Sequence, residues 1–158
     1  MLSRMPGDQP SRRTFTLGVA AAVTAFAVPA TAALAQDQVQ AWELAVRKIV
    51  GEAKPSEGKF ALELPEIAEN GNTVPFTVSV ESPMTEKDHV KAIHVIATAN
   101  PQPGVATFRL TPLSGKAAVS SRLRLARTQD VIGIAELSDG RFLMAKRPVK
   151  VTIGGCGG

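Results

Sequence analysis

The chain has 158 residues, a formal net charge of +4, one tryptophan and no tyrosine. Nucleic-acid binding surfaces combine a concentrated basic patch with exposed aromatic side chains, so this composition disfavours binding to nucleic acid. The single cysteine cannot form an internal disulfide, and we therefore expect the hydrophobic core alone to stabilise the fold.

The first 35 residues have the pattern of a bacterial export signal. Ser11-Arg12-Arg13-Thr14-Phe15 contains a twin arginine followed by an aromatic residue. An alanine-rich apolar run over residues 17–34 leads into the small-residue cleavage pattern Ala33-Leu34-Ala35. We expect cleavage there and export to the periplasm by the twin-arginine route. A transmembrane anchor is the alternative, which the cleavage pattern, Pro29 and the many alanines disfavour.

The mature chain, residues 36–158, fits a single domain. Removal of the leader takes away three arginines and one aspartate, which lowers the formal net charge from +4 to +2. A formal net charge of +2 is too small to imply a strongly basic surface. We expect no membrane-spanning segment in the mature protein.

An amphipathic helix is predicted over residues 38–53. Apolar side chains recur every three or four residues at Trp42, Val46 and Ile49, while Glu43 and Lys48 lie on the opposite side. The helical pattern stops before the turn residues of 55–58. We expect this helix to cap one end of a sheet.

The rest of the chain has the two-residue period of β-strands, which is clearest in the run from Val74 to Val80. The predicted strands are Phe60–Leu64, Val74–Val80, Val90–Thr98, Val105–Leu110, Val119–Leu125, Val131–Leu137, Phe142–Ala145 and Val149–Ile153. Turn residues separate them, and Asp139-Gly140 predicts a hairpin. Seven or eight short strands predict a mainly β protein with an immunoglobulin-like β-sandwich, and a barrel is the alternative.

The common catalytic patterns are missing from the sequence, which has no Gly-rich phosphate loop, nucleophile elbow or paired zinc cysteines. His89 and His94 are five residues apart, and an alternating strand places such positions on opposite faces. They would converge on a metal only if His89 lay in the preceding loop. We therefore predict neither a catalytic residue nor a metal site.

A basic strand face is predicted at Arg122 and Arg124, with Arg127 just beyond. Leu123 and Leu125 alternate with these arginines and are expected to face inwards. A charged outer face is the simple interpretation. A patch that attracts anions or docks a partner is the alternative.

Cys156 stands apart from these features because glycines surround it. Gly154, Gly155, Gly157 and Gly158 carry no side chains, which predicts a slender, flexible C-terminal arm. A catalytic thiol needs a fixed position and neighbours that lower its pKa, whereas the nearest cation in the sequence, Lys150, is six positions away. The pattern favours a covalent attachment point that other enzymes work on.

Three other functions of this thiol remain open. Cys156 could form an intermolecular disulfide that fixes a structural dimer. A thiol oxidoreductase is opposed by the missing activating groups. A cytosolic sulfur carrier with a C-terminal thiocarboxylate would use Gly157-Gly158, but the export leader and the strand pattern oppose it.

The chain resembles the SoxY family, the sulfur-compound carrier subunits of the periplasmic thiosulfate-oxidising (Sox) system. The resemblance depends on the C-terminal run from Val151 to Gly158, the twin-arginine leader, and a β-rich domain that includes Asn70-Gly71-Asn72-Thr73-Val74-Pro75. It covers essentially the whole chain.

The resemblance implies a non-catalytic carrier without a cofactor of its own. Cys156 would bear S-thiosulfonate and persulfide intermediates derived from thiosulfate, and the glycines would let each enzyme draw it in. A SoxZ subunit would form the heterodimer. The transient partners implied are a haem-containing enzyme that joins thiosulfate to the thiol, a manganese-dependent hydrolase that releases sulfate, and a sulfane dehydrogenase.

Overall fold

The computed structural model describes residues 41–153. The predicted leader (1–35) and the predicted arm (154–158) lie outside the described residues. Residues 41–50 are helical and are called α1. The helix ends at Gly51, which has a φ of +61° and donates its N–H to the Arg47 carbonyl oxygen at 2.8 Å. No helix within residues 41–153 has the length and apolar character needed to cross a membrane.

Eight strands follow α1 and form two sheets. They are β1 (Phe60–Glu63), β2 (Ile67–Asn70), β3 (Val74–Val80), β4 (Val90–Ala97), β5 (Gly104–Arg109), β6 (Ala117–Leu123), β7 (Gln129–Leu137) and β8 (Phe142–Ile153). One sheet has the order β1-β3-β6, and the other has the order β2-β8-β7-β4-β5. A short 3₁₀ turn, Pro112–Ser114, lies between β5 and β6. The β2–β8 pair is parallel, and the other pairs are antiparallel.

The core lies between the two sheets. In β3 every second residue is buried, because one face of that strand packs inwards and the other does not. In β7 both faces are covered, so Val131, Ile132 and Ile134 are all fully buried. This arrangement confirms the predicted immunoglobulin-like β-sandwich.

The helix packs on a sheet face instead of capping a sheet end, which corrects the sequence-based expectation. Its apolar side, including Trp42 and Ile49, contacts a cluster around Ile96, Ile132 and Ile134 on the outer face of the five-stranded sheet. Those three side chains alternate with core residues along β4 and β7, so they need a cover of their own. The helix supplies that cover.

The sequence missed β2 and divided β8 into two strands. β2 has a single buried residue, Ala68, and therefore shows almost no periodic signal. β8 continues through Pro148, which faces Asp130 of β7. The Met144 and Lys150 N–H groups point away from β7 and donate to the carbonyl oxygens of Ser56 and Glu66. Backbone N–H directions alternate along a strand, and Pro148 is an even number of residues from both, so its nitrogen also points away from β7. Its missing N–H consequently costs the β7–β8 ladder nothing.

The predicted hairpin at Asp139-Gly140 is confirmed. Gly140 has a φ of +85°, which favours glycine, and its N–H donates to the Leu137 carbonyl oxygen at 3.1 Å. The Asp139 carboxylate accepts hydrogen bonds from the Arg141 backbone and side chain, and these bonds lower the pKa of that carboxyl. This turn lies at the opposite end of β8 from the arm.

Candidate functional site

The predicted attachment residue, Cys156, and its four glycines lie outside the described residues. The structure does describe where the arm begins, which is the C-terminal end of β8. We call Val151–Ile153 the arm base. The side chain of Ile153 is 67% exposed, so the chain leaves the domain at its surface.

Hydrogen bonds hold the arm base on both sides. The Gly71 N–H donates to the Ile153 carbonyl oxygen at 2.8 Å, and the Thr152 hydroxyl donates to the Glu69 carbonyl oxygen at 2.9 Å. On the other side, the Val151 N–H donates to the Thr128 hydroxyl oxygen at 3.0 Å. The strand therefore remains paired as far as Ile153, and the first glycine of the arm follows directly.

A buried amide network braces the same end of the sandwich. Gln129 is 8% exposed, and its oxygen accepts the Ala99 N–H at 2.7 Å. Its amide nitrogen donates to the Asn100 side-chain oxygen at 2.9 Å and to the Arg127 carbonyl oxygen at 3.0 Å. Asn100 also bonds the backbone of Arg124 and Ala126, at 2.8 and 2.9 Å. The β4–β5 and β6–β7 connections are thereby fixed to each other.

Sequence reasoning missed this network. Asn100 and Gln129 are 29 residues apart and belong to no motif. A buried amide is recognisable only when its partners are known. From the sequence, Asn100 is recognisable only as one of the turn residues between two predicted strands.

The predicted basic face lies beside this network. Arg122 and Arg124 are exposed, whereas Leu123 and Leu125 are buried, as the alternation predicts. The two arginines line one side of a surface pocket of about 350 Å³, whose other side includes Asn100 and Gln102. Within the described part of the chain, neither arginine forms an ion pair with a carboxylate.

The two histidines have separate surroundings. His89 lies in the loop before β4, where its Nδ1 contacts the Thr85 carbonyl oxygen at 3.1 Å. His94 lies on the outer face of β4, where its Nδ1 contacts the Thr107 hydroxyl at 3.0 Å. No group of three or more metal-ligating side chains occurs among residues 41–153.

His94 makes the stability of the domain depend on pH. It lies beside α1, where Ala45 and Ile49 line the same pocket, and its Nε2 is buried without a partner among the described residues. Burial lowers the pKa of His94 below its usual 6.5; Glu136 opposes this shift and Arg109 adds to it. Below pH 6.5 the unfolded chain thus binds more protons than the folded chain, and the free energy of unfolding falls as the pH falls.

We expect His94→Gln to weaken this pH dependence, because glutamine keeps a polar contact to Thr107 and does not titrate. The measurement is urea unfolding between pH 7.5 and the folded pKa of His94. His89→Gln is the control, since His89 is the other histidine of the chain and lies in the loop before β4. An unchanged pH profile in His94→Gln would assign the effect to other groups.

The sequence matches the family described as sulfur oxidation protein SoxY over residues 46–156, which is more than half of the chain. The chain belongs to the SoxY family. The matched range extends past the end of β8 and finishes at position 156, the cysteine. The resemblance that the C-terminal motif and leader predicted is therefore confirmed.

Solved structures give the same family and the same fold. The sulfur carrier protein SoxY from Chlorobium limicola f. thiosulfatophilum is 33% identical with a TM-score of 0.60, and the match covers 72% of this chain and 98% of that chain. A second match is superoxide reductase (neelaredoxin) from Ignicoccus hospitalis, with 17% identity and a TM-score of 0.53. That match covers 60% of this chain and 80% of that chain, and it shows likeness of fold alone. Among curated proteins, none matches the sequence significantly.

Proposed function

We propose that this member of the SoxY family is a non-catalytic carrier of sulfur intermediates, which are attached covalently to Cys156 and passed between partner enzymes in thiosulfate oxidation. The observation that carries the proposal is the family match, which continues beyond the sandwich and includes Cys156. The relative from Chlorobium limicola f. thiosulfatophilum is itself named a sulfur carrier.

The construction of the arm base supports this function. β8 pairs with β7 as far as Val149 and with β2 as far as Ile153, and Cys156 follows three residues later. Three residues span at most about 11 Å, so a partner can take in the thiol while the domain remains folded outside. The glycines on both sides of Cys156 keep this segment thin.

The chemistry of such a carrier balances without any catalytic group on this chain. A haem-containing partner would remove two electrons and one proton as the Cys156 thiol joins the outer sulfur of thiosulfate, which forms Cys–S–S–SO₃⁻. A manganese-dependent hydrolase would add water to the sulfonate group, release sulfate and two protons, and leave the persulfide anion Cys–S–S⁻. A sulfane dehydrogenase, where present, would oxidise the remaining sulfur.

The test is the intact mass of the protein isolated from the periplasm of cells that are oxidising thiosulfate. We expect thiosulfonate and sulfur adducts on Cys156 that a reductant removes. Protein from cells grown without thiosulfate is the control. If turnover yields only free thiol, or a disulfide-linked homodimer, the carrier function is wrong, and the second outcome would favour the structural dimer.

We also propose that the mature chain works in the periplasm as a heterodimer with a SoxZ subunit. The twin-arginine route moves folded proteins, so a partner without a leader could be exported while bound to this chain. The support is the pair Arg12-Arg13 in a leader of the expected form.

Substitution of both leader arginines by lysine tests this export proposal. We expect this chain and its partner subunit to accumulate together in the cytoplasm, as measured by immunoblots of cell fractions. Export of the partner that continues when this chain is retained would contradict joint export.

A further inference from the structure

The arm base is directly connected to the segment that carries Arg124. The Gly71 N–H donates to the Ile153 carbonyl oxygen, and the Leu125 N–H donates to the Gly71 carbonyl oxygen, each at 2.8 Å. Two such hydrogen-bonded steps place the Leu125 backbone roughly 10 Å from Ile153. Cys156 lies three residues beyond Ile153 and can reach about 11 Å, so its cargo can reach this segment.

The pocket beside this segment has the composition of an anion site. Arg122, Arg124 and Ala126 line one side, and Asn100, Gln102 and Gly104 line the other; no carboxylate lines it. Guanidinium groups bind sulfonate and phosphate oxygens through pairs of N–H donors, and Gln102 adds an amide.

The pocket walls are fixed before any anion arrives. The Asn100 amide donates to the Arg124 carbonyl oxygen at 2.8 Å, and Asn100 is itself held by the buried Gln129. Binding therefore does not have to order the backbone of the pocket, which lowers its entropic cost. The exposed position of both arginines leaves them accessible to the arm.

We propose that this pocket binds the sulfonate group of the cargo on Cys156, so that the loaded C-terminal arm docks on its own domain between visits to partner enzymes. The proposal rests on the proposed carrier function. Charge complementarity selects the occupant, because the thiosulfonate-loaded arm carries the oxygens that two guanidinium groups recognise. The state left after sulfate release lacks these oxygens and does not dock in this way.

The loaded state can be prepared without the partner enzymes. The Cys156 thiolate attacks a central sulfur of tetrathionate, the bond between the two central sulfurs breaks, thiosulfate leaves, and Cys–S–S–SO₃⁻ remains. The single cysteine makes this the sole adduct. Alkylation with iodoacetamide gives a matched neutral adduct.

NMR chemical shifts of the ¹⁵N-labelled full mature chain then test docking. We expect the thiosulfonate to shift the backbone signals of Gln102, Leu123 and Arg124 and the side-chain Nε–H signals of both arginines. The neutral adduct should leave these signals in place. The shifts should be lost in R122Q/R124Q and kept in K54Q/R147Q, which removes two exposed positive charges elsewhere.

Three outcomes would overturn the proposal: equal shifts from both adducts, shifts that are confined to other surfaces, or shifts that survive in R122Q/R124Q. Free thiosulfate, added at the protein concentration to the neutral adduct, separates a tethered from an untethered anion. We expect no shift, because the tether raises the local cargo concentration to the millimolar range. Full shifts from free thiosulfate would show that docking of the arm is not required.

Failure of docking can be distinguished from failure of the carrier function. Chemical loading does not depend on what Cys156 carries in cells, whereas the intact-mass measurement does. If cells yield the adducts but the NMR signals of the pocket do not shift, docking is overturned and the carrier function is not. Pocket shifts without adducts in cells overturn the carrier function and leave an anion site on this face.

Discussion

Replacement of Cys156 by serine is expected to abolish sulfate formation from thiosulfate while leaving the domain as stable as before. Serine cannot form the sulfur–sulfur bond that would hold the proposed cargo, and the chain has no other cysteine to replace Cys156. Cys156 lies beyond the paired strands, which end at Ile153, so the free energy of unfolding should change by less than about 0.5 kcal/mol. Thiosulfate-dependent growth and a urea titration measure the two effects.

A matched substitution in the arm sharpens this test. Gly157→Ala changes a neighbour of Cys156 but keeps the thiol, so we expect sulfate formation to continue in that variant. Activity that persists in Cys156→Ser would rule out attachment at this residue. A large fall in thermal stability would instead show that the arm contributes to the core.

Gly133→Ala is expected to destabilise the domain strongly, although it adds a single methyl group. Gly133 lies in the buried strand β7, and a Cβ added there would be 2.7 Å from Cζ of Phe60 in the opposite sheet. The Phe60 ring is itself packed in the core. Overpacking of this kind costs about 2–3 kcal/mol, which corresponds to a fall in Tm on the order of 10 °C for a domain of this size.

The control for Gly133→Ala is Gly104→Ala. An added Cβ at Gly104 would meet nothing within 4 Å, so that variant should be close to neutral. Combination of Gly133→Ala with Phe60→Leu should cost less than the sum of the two single changes, because leucine vacates the space that the methyl group needs. Additive losses in thermal unfolding would show that the clash does not involve Phe60.

The inner strands could be predicted from sequence because one of their faces is buried against the other sheet. β3 has the predicted bounds, Val74–Val80, and its buried positions alternate as the apolar residues do. β4 and β7 lie close to their predicted bounds, although β7 begins two residues earlier, at the buried Gln129. The alternation of apolar and polar residues along a strand indicates which positions are buried, and this pattern was sufficient to predict the sandwich.

Features that depend on distant partners were not predictable in the same way. β2 exists because β8 offers it a parallel edge from Lys150 to Ile153, more than 80 residues later in the chain. β6 ends at Leu123 and not at Leu125, since the Leu125 N–H bonds to Gly71 instead of to β3. The helix could be predicted from its period, but the sheet face that it covers could not.

The candidate site also has one part that neighbouring residues form and one part that distant residues form. The proposed attachment residue and its glycines form one short run of sequence, so the arm could be predicted from the sequence alone. The pocket beside Arg122 and Arg124 is assembled from two connections, and the Asn100–Gln129 bond that shapes it joins residues 29 apart. The sequence therefore indicated an exposed basic face but not the cavity next to it.

The placement of β8 also determines how the domain responds to force. The last residues of β8, from Lys150 to Ile153, pair with β2 on one side, and the Val151 N–H donates to the Thr128 hydroxyl on the other. If a partner draws the thiol into its own active site, as proposed, a pull along the axis of this strand would load those bonds together, in shear. An edge strand pulled sideways would instead lose its bonds one after another. Axial traction on the chain beyond Ile153 would consequently not break these bonds one by one.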